Sequence, residues 1–340
     1  MRRIIVESAG FLSTVQDGGR YGYQRYGIPP SGAMDEFAFQ VGNILVGNER
    51  NAAGIEITLA GFSVKFDEDF EIAVTGADLN ATVNGKKIET WQSTYVKRGD
   101  ILKFERVNKN IRAYLCVNGG IDVPRVFGSR STYMRMNMGG FQGRKLQKGD
   151  ILPVGSPSSL STSSMKVNDS ILSLVYSPRN IRVIPGPENK LFSKKDLDLF
   201  FSSLYSITNQ SDRMGYKLKG PSLNSKRVSH DIISNGIVRG AIQVPSNGQP
   251  IIMMAEHQTI GGYAKIATVI STDIPLLSHM KPADKIHFER ITLEEAHQLY
   301  CQIQNILESL ENESRKKRKS KIFFVEIGEK AYRLKIRPLE

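Results

Sequence analysis

The chain has 340 residues, 40% hydrophobic, 24% charged and 8% aromatic, with a formal net charge of +12. This composition excludes a collagen, a mucin, a wholly disordered chain and a membrane channel, and at roughly 100–200 residues per domain it predicts two domains. The two cysteines, Cys116 and Cys301, exclude a disulfide scaffold and a four-cysteine zinc site. No run reaches the roughly 18 apolar residues of a membrane span, and no signal-peptide core follows Met1-Arg2-Arg3, so the expected compartment is the cytoplasm.

In chain order, the first periodic segment is 32–47. There Met34, Phe37, Ala38, Val41, Ile44 and Leu45 recur every three or four residues and predict a helix. Runs rich in Val, Ile, Tyr and Phe then predict strands at 63–66, 71–75, 81–83, 101–104 and 112–117, with Asn84-Gly85 as a hairpin turn. A Ser-rich stretch at 155–164 is too polar to pack a core and reads as a linker. Beyond it, strands are expected at 181–184, 242–244, 251–254, 266–270 and 285–288. Ser193 caps a short helix carrying Leu197, Phe200, Phe201 and Leu204, and the capping box from Thr292 to Glu295 opens a longer one.

A turn-plus-strand pattern recurs at 97–104, 147–152 and 281–288, each with an aspartate (Asp100, Asp150, Asp284) before the strand. The basic run 315–319 is read as a solvated linker after the last helix rather than a nucleic-acid arm, and 321–337 as a small appended hairpin. The expected organisation is a first domain over 1–154, a linker over 155–170, a second domain over 171–290, and an extension over 291–340.

No phosphate loop of the G-x-x-x-x-G-K-[ST] type and no G-x-S-x-G elbow is present, and the five histidines show no metal-ligand spacing. His279 and His297 fall in segments that read as exposed. What the chain does carry is polar, glycine-rich loops at 14–20, 26–35, 75–78, 118–132, 211–215, 240–250 and 256–265. Glycine pairs let backbone N–H groups approach a ligand. Arg and Lys hold carboxylates or phosphates, and Gln and Asn donate and accept at once, as an amide requires. Read singly, each loop is a turn held by local hydrogen bonds; together they suit a small anionic or amide-bearing ligand.

In this order, the stretches 14–20, 27–35, 43–56, 75–78, 119–132, 139–150, 211–220, 236–250 and 258–271 resemble the biotin-dependent carboxyltransferase-like family, also called allophanate hydrolase subunit 2. The resemblance covers most of 3–290. It implies a mainly β protein of two cyclophilin-like β-barrels with a few short helices and a C-terminal helical, basic extension. Of the family's branches, the 5-oxoprolinase one fits a chain that has no biotin-attachment Met-Lys-Met pattern and no ATP-grasp region. It implies one component of an ATP-dependent complex that opens 5-oxo-L-proline to L-glutamate. ATP enters through the complex, and no biotin is attached to this chain.

The implied partners are an allophanate hydrolase subunit 1-type chain of the 5-oxoprolinase complex and that complex's lactam hydrolase chain, with no nucleic acid and no membrane. The alternatives are a carboxyltransferase half that uses a separate biotin carrier to carboxylate urea or another amide, and a regulatory protein that antagonises a kinase inhibitor. The resemblance places Asp17, Arg213 and Lys265 in catalytic roles. It places Arg20, Asp35, Gln243, Gln249, Gln258, Thr259, Gly261, Gly262 and Tyr263 in substrate binding, with Asp212 a further acid or base. No metal is implied. Where the family has an Asp-Arg pair before Gln-Thr, this chain has Glu256-His257, and a histidine is only partly charged near neutral pH.

Overall fold

The computed structural model describes residues 2–157, 164–223, 231–319, 321–327 and 330–336. Residues 158–163 of the expected linker and the Gly328 turn lie outside them. The chain opens with β1 (Arg3–Ala9) and β2 (Leu12–Gln16). The apolar stripe at 32–47 becomes α1 (Glu36–Leu45), capped by Asp35, whose carboxylate accepts the Ala38 N–H at 2.9 Å. Next come β3 (Gly54–Thr58), β4 (Phe62–Phe66), β5 (Phe70–Asp78), β6 (Ala81–Val83), β7 (Lys86–Lys87), β8 (Ser93–Val96), β9 (Ile101–Phe104), β10 (Lys109–Val117) and β11 (Ile151–Pro153).

These strands make two sheets, in the orders β11-β1-β4-β9-β6-β7 and β2-β3-β10-β5-β8. Both point apolar side chains into one core: Ile4, Phe62 and Leu102 from the first sheet meet Ile55, Ile72 and Leu115 from the second. Alternation along the strands puts every second residue there.

The second half begins with α2 (Asp169–Tyr176), capped by Asn168. Just before it, Met165 and Val167 are buried beside Trp91, so the end of the expected linker packs on the first half. Then follow β12 (Ile181–Pro185), α3 (Lys194–Ser202), β13 (Leu204–Ile207), β14 (Gly215–Lys219), β15 (Asp231–Gly236), β16 (Ala241–Val244), β17 (Ile251–Met253), β18 (Ile260–Val269), α4 (Ile274–Ser278) and β19 (Lys285–Arg290). Their sheet runs β12-β19-β13-β14-β17-β16-β18-β15, and an additional β12–β18 pairing closes it into a barrel, with β15 appended outside. Ser193 and Asp196 form the full capping box of α3. The strand expected at 266–270 starts six residues earlier, at Ile260. The Gly261-Gly262 pair, which reads as a loop, runs beside β15 as extended backbone, and the same strand pairs with β16 from Ala264 onward.

The three recurring turns share one geometry. Asp100, Asp150 and Asp284 each accept the N–H of the residue three before them, Lys97, Gln147 and Lys281, at 2.8, 2.8 and 2.9 Å, and then lead into β9, β11 and β19. The residue before each aspartate is left-handed: Gly99 at φ 91°, Gly149 at φ 89°, and Ala283 at φ 74°. Alanine alone of the three carries the steric cost of that region. Ala283→Gly is therefore expected to stabilise the chain by about 0.5–1 kcal/mol, read as a higher denaturation midpoint.

The basic run 315–319 is not a solvated linker. It forms the last turns of α5 (Leu293–Lys319), which starts on the second half and ends against the first. Arg318 donates to both carboxylate oxygens of Glu71, at 2.8 and 2.9 Å, and to the Leu45 carbonyl at 2.9 Å. Ser314 donates to the Ile44 carbonyl at 2.7 Å. The Leu45 carbonyl at the end of α1 thus finds a donor on another helix, and the Ile44 carbonyl, which also accepts the Gly47 N–H, gains a second one. Beyond α5, β20 (Lys321–Ile327) and β21 (Lys330–Ile336) pair antiparallel as the appended hairpin. No helix among the described residues is long and apolar enough to cross a membrane.

Candidate functional site

A buried ionic seam joins the two halves. Arg213, just before β14, donates from Nε to Glu256 at 2.6 Å, from Nη1 to Glu56 on β3, and from Nη2 to the Gly32 carbonyl at 2.6 Å. Glu56 also accepts from the Met34 N–H at 2.7 Å and from the Tyr114 hydroxyl at 2.8 Å. Burial works against the Arg213 charge, but Glu56 and Glu256 outweigh it and hold its pKa above the ordinary value. Burial likewise opposes ionisation of Glu56, and Arg213, Arg112 and its donors win, holding that carboxylate below the usual range. Arg112 adds a further tie by donating to the Tyr216 hydroxyl at 2.9 Å and to the Ser278 carbonyl.

Asp35 is also part of the seam. Fully buried, it accepts from the Tyr176 hydroxyl at 2.7 Å and lies 2.8 Å from His279 Nε2. His279 is therefore not in an exposed segment: it is 6% exposed and packed on Tyr176.

Asp17 follows β2 with its acceptor positions filled. It takes the Gly19 N–H at 2.8 Å, the Ser129 hydroxyl at 2.7 Å, the Ser131 hydroxyl at 2.5 Å and the Arg130 N–H at 2.5 Å. In this arrangement it binds two loops together. Asp212, 56% exposed at its side chain, accepts from the Met214 and Gly215 N–H groups and pairs with Arg135. Lys265 on β18 is buried and held by Glu188, at 3.2 Å, and by Asn235.

Among the described residues, several groups in this region keep hydrogen-bonding capacity in reserve: Arg112 Nε, His279 Nδ1, Arg20 and a glutamine pair. Arg20 is 1% exposed and donates from Nη2 to the Ser131 carbonyl, while its Nε and Nη1 have no partner among the described residues. Burial lowers its pKa, and Asp17 and Glu256 oppose that. On the barrel side, Gln258 donates from Nε2 to Gln243 Oε1 at 3.0 Å, leaving Gln243 Nε2 and Gln258 Oε1 unpartnered. The pair offers one free donor and one free acceptor side by side, the complement of an amide's C=O and N–H. Gly261 lies over it. A Cβ there would stand 2.8 Å from Gln243 Nε2 and 2.6 Å from Ile237 Cδ1, closer than packing allows.

The structure thus brings Gln243, Gln258 and Gly261 together, with Lys265 opposite Gln243 across the β16–β18 ladder. Thr259 is buried beside them and Tyr263 is 40% exposed on β18, while a Cβ on Gly262 would meet the Ile232 carbonyl at 3.1 Å. Gln249 stands apart, bonded twice to Gly220 and lining a different cavity of about 660 Å³. Sequence reasoning missed Glu56, Glu256, Tyr114 and His279. The one available signal was a charged residue inside the apolar strand Gly54-Ile55-Glu56-Ile57, which needs a partner once buried.

His257 is 2% exposed, and its Nδ1 donates to the Gln258 carbonyl at 2.7 Å. Burial pushes its pKa down, with Arg239 adding to the effect, so the fold holds the ring neutral and position 257 supplies no cation. A lowered histidine pKa means that the unfolded chain takes up the proton first as pH falls through about 6.5. Melting temperature is expected to drop as pH falls from 7 to 5.5, and His257→Gln is expected to flatten that stretch. The losses from carboxylates such as Glu56 lie below about pH 4.5 and remain. Among the described residues, no group of three or more His, Cys, Asp or Glu is placed to hold a metal ion.

Residues 26–290 match the family model described as carboxyltransferase domain, subdomain A and B. The chain is 41% identical over 288 residues to the C subunit of 5-oxoprolinase from Escherichia coli (strain K12), an alignment covering 85% of this chain and 91% of that protein. It is 37% identical over 289 residues to the C subunit of 5-oxoprolinase from Haemophilus influenzae, covering 84% and 91%. Among solved structures, Kluyveromyces lactis urea carboxylase superposes with a TM-score of 0.83 at 32% identity, over 92% of this chain and 29% of that one.

Proposed function

The chain belongs to the family of carboxyltransferase domains built from subdomains A and B, and from that premise we propose that it is one component of an ATP-dependent 5-oxoprolinase. The complex would hydrolyse 5-oxo-L-proline to L-glutamate. In that reaction the lactam C–N bond breaks, a water oxygen joins the carbonyl carbon, and the ring nitrogen leaves as the amine.

The observation that carries this reading is the Gln243–Gln258 pair. Its free donor and acceptor fit a lactam, with Gln243 Nε2 donating to the carbonyl and Gln258 Oε1 taking the ring N–H. Arg20 is the matching group for the substrate carboxylate, since the charges of Arg213 and Lys265 are already answered by Glu56, Glu256 and Glu188. Those two residues, with Asp17 and Asp35, then act by positioning. Both free atoms are buried beneath Gly261, so this reading requires the start of β18 to move aside when partner chains and substrate bind. ATP is a co-substrate that enters through the complex.

The test is reconstitution with a subunit 1-type partner and a lactam hydrolase chain, measuring ATP-dependent glutamate release from 5-oxoproline. Release that stops when this chain is left out is the expected result; release that continues without it ends the proposal. The fold match to urea carboxylase favours a second reading, carboxyl transfer to an amide, which the same glutamine pair would also accommodate. Carbon dioxide transfer from a carboxylated biotin carrier to urea, with no glutamate formed from 5-oxoproline, is the outcome that would select it.

A further inference from the structure

We propose that the cleft beside the Asp17 loop is a separate binding site for a zwitterionic α-amino acid. The cleft has a volume of about 530 Å³, and its walls include Gly18, Glu49, Asn51, Gly120 and Arg125. The amide-binding glutamines are not among its lining residues.

Its walls are fixed. Asp17 ties loop 17–19 to loop 129–131 through its bonds to Ser129, Arg130 and Ser131. Asn48 donates to the Val117 carbonyl at 2.8 Å and accepts the Gly119 N–H at 2.8 Å, pinning the opposite side. The floor has no room for side chains: a Cβ on Gly18 would collide with the Asn51 side chain, and one on Gly120 would press on Ala52 at 3.3 Å.

Two opposite charges on exposed side chains line this space. Among the described residues, neither the Arg125 guanidinium nor the Glu49 carboxylate makes a hydrogen bond or an ion pair, and they do not close on each other. The other charged pair at the cleft, Arg130 and Asp122, is already joined at 2.5 Å. An α-amino acid meets both free charges at once. Its carboxylate takes Arg125, with the two-pronged geometry a guanidinium offers, and its ammonium takes Glu49. A ligand with only one of the charges leaves the other side unanswered.

This has a direct consequence if the proposed reaction holds, and only the choice of amino acid rests on that reading. 5-Oxoproline has its nitrogen locked in the lactam and carries no ammonium, whereas the L-glutamate released from it does. The cleft would therefore take product and refuse substrate, and product bound there would restrain the complex.

The experiment is calorimetric titration of the full chain with L-glutamate, with glutarate, which lacks the ammonium, and with 5-oxoproline. One-to-one binding of L-glutamate is expected, at least tenfold tighter than glutarate, not displaced by 5-oxoproline, and weakened at least tenfold by Arg125→Gln and by Glu49→Gln. In the reconstituted complex both variants should keep 5-oxoproline turnover and lose inhibition by added glutamate. No binding of L-glutamate, equal binding of glutarate, or affinity untouched by both variants overturns the site. Because the titration needs no turnover, a complex inactive on 5-oxoproline would defeat the functional reading and leave this inference to be judged on binding alone.

Discussion

Replacing Arg213 with methionine is expected to cost about 3–5 kcal/mol of stability, because it leaves Glu56 and Glu256 buried with no cation between them. Glu56 is 2% exposed and Glu256 6% exposed, so neither recovers its hydration in the folded chain. The loss would appear as a large fall in the denaturation midpoint. A control separates the charge effect from lost packing: Arg213→Met combined with Glu56→Gln and Glu256→Gln removes the stranded charges and should recover a large part of the loss. If the single variant is as stable as the parent, the seam does not hold the halves together as described.

The second large effect is on activity. Gln258→Leu removes the acceptor assigned to the lactam N–H and is expected to lower kcat/KM for 5-oxoproline by roughly 10- to 100-fold, the scale of one lost hydrogen bond in a closed site. Gln243→Leu should fall by a similar factor, since the donor to the developing negative oxygen goes with it. Gln249→Leu, at the separate Gly220 contact, should leave kcat/KM unchanged. Steady-state kinetics of the three variants in the reconstituted complex decides this, and equal activity of all three would move the site elsewhere.

Local signals in the sequence carry the longer helices and the strands densest in Val, Ile and Phe, while β1, β2, β3, β8, β13, β14 and β15 were missed. α3 and α5 announce themselves by a cap and an apolar stripe, α1 by its stripe alone, and the three Asp-centred turns repeat because one hydrogen bond sets them all. α2 was missed, and only Val175 of its residues is buried, so its stripe is faint. The Gly261-Gly262 strand was hidden because glycine reads as a breaker until neighbouring strands supply its hydrogen bonds.

The site was legible by residue type and not by pairing. Gln243 and Gln258 were marked as amide-recognising residues, but that one bonds the other depends on how β16 and β18 are registered. The charges were harder still. Arg213 meets Glu56 across 157 positions, and His279 meets Asp35 across 244, so nothing local distinguished a buried seam from surface polarity. Arg318 was misread for the same reason, its partner Glu71 lying 247 positions away.

The central claim is that a lactam is recognised by its N–H as well as its carbonyl. The most direct measurement compares binding of 5-oxoproline with that of its lactone analogue, in which a ring oxygen replaces the N–H, in complexes carrying the parent chain and Gln258→Leu. The account predicts that the parent prefers the lactam at least tenfold and that Gln258→Leu binds the two alike. The same preference in both would contradict it.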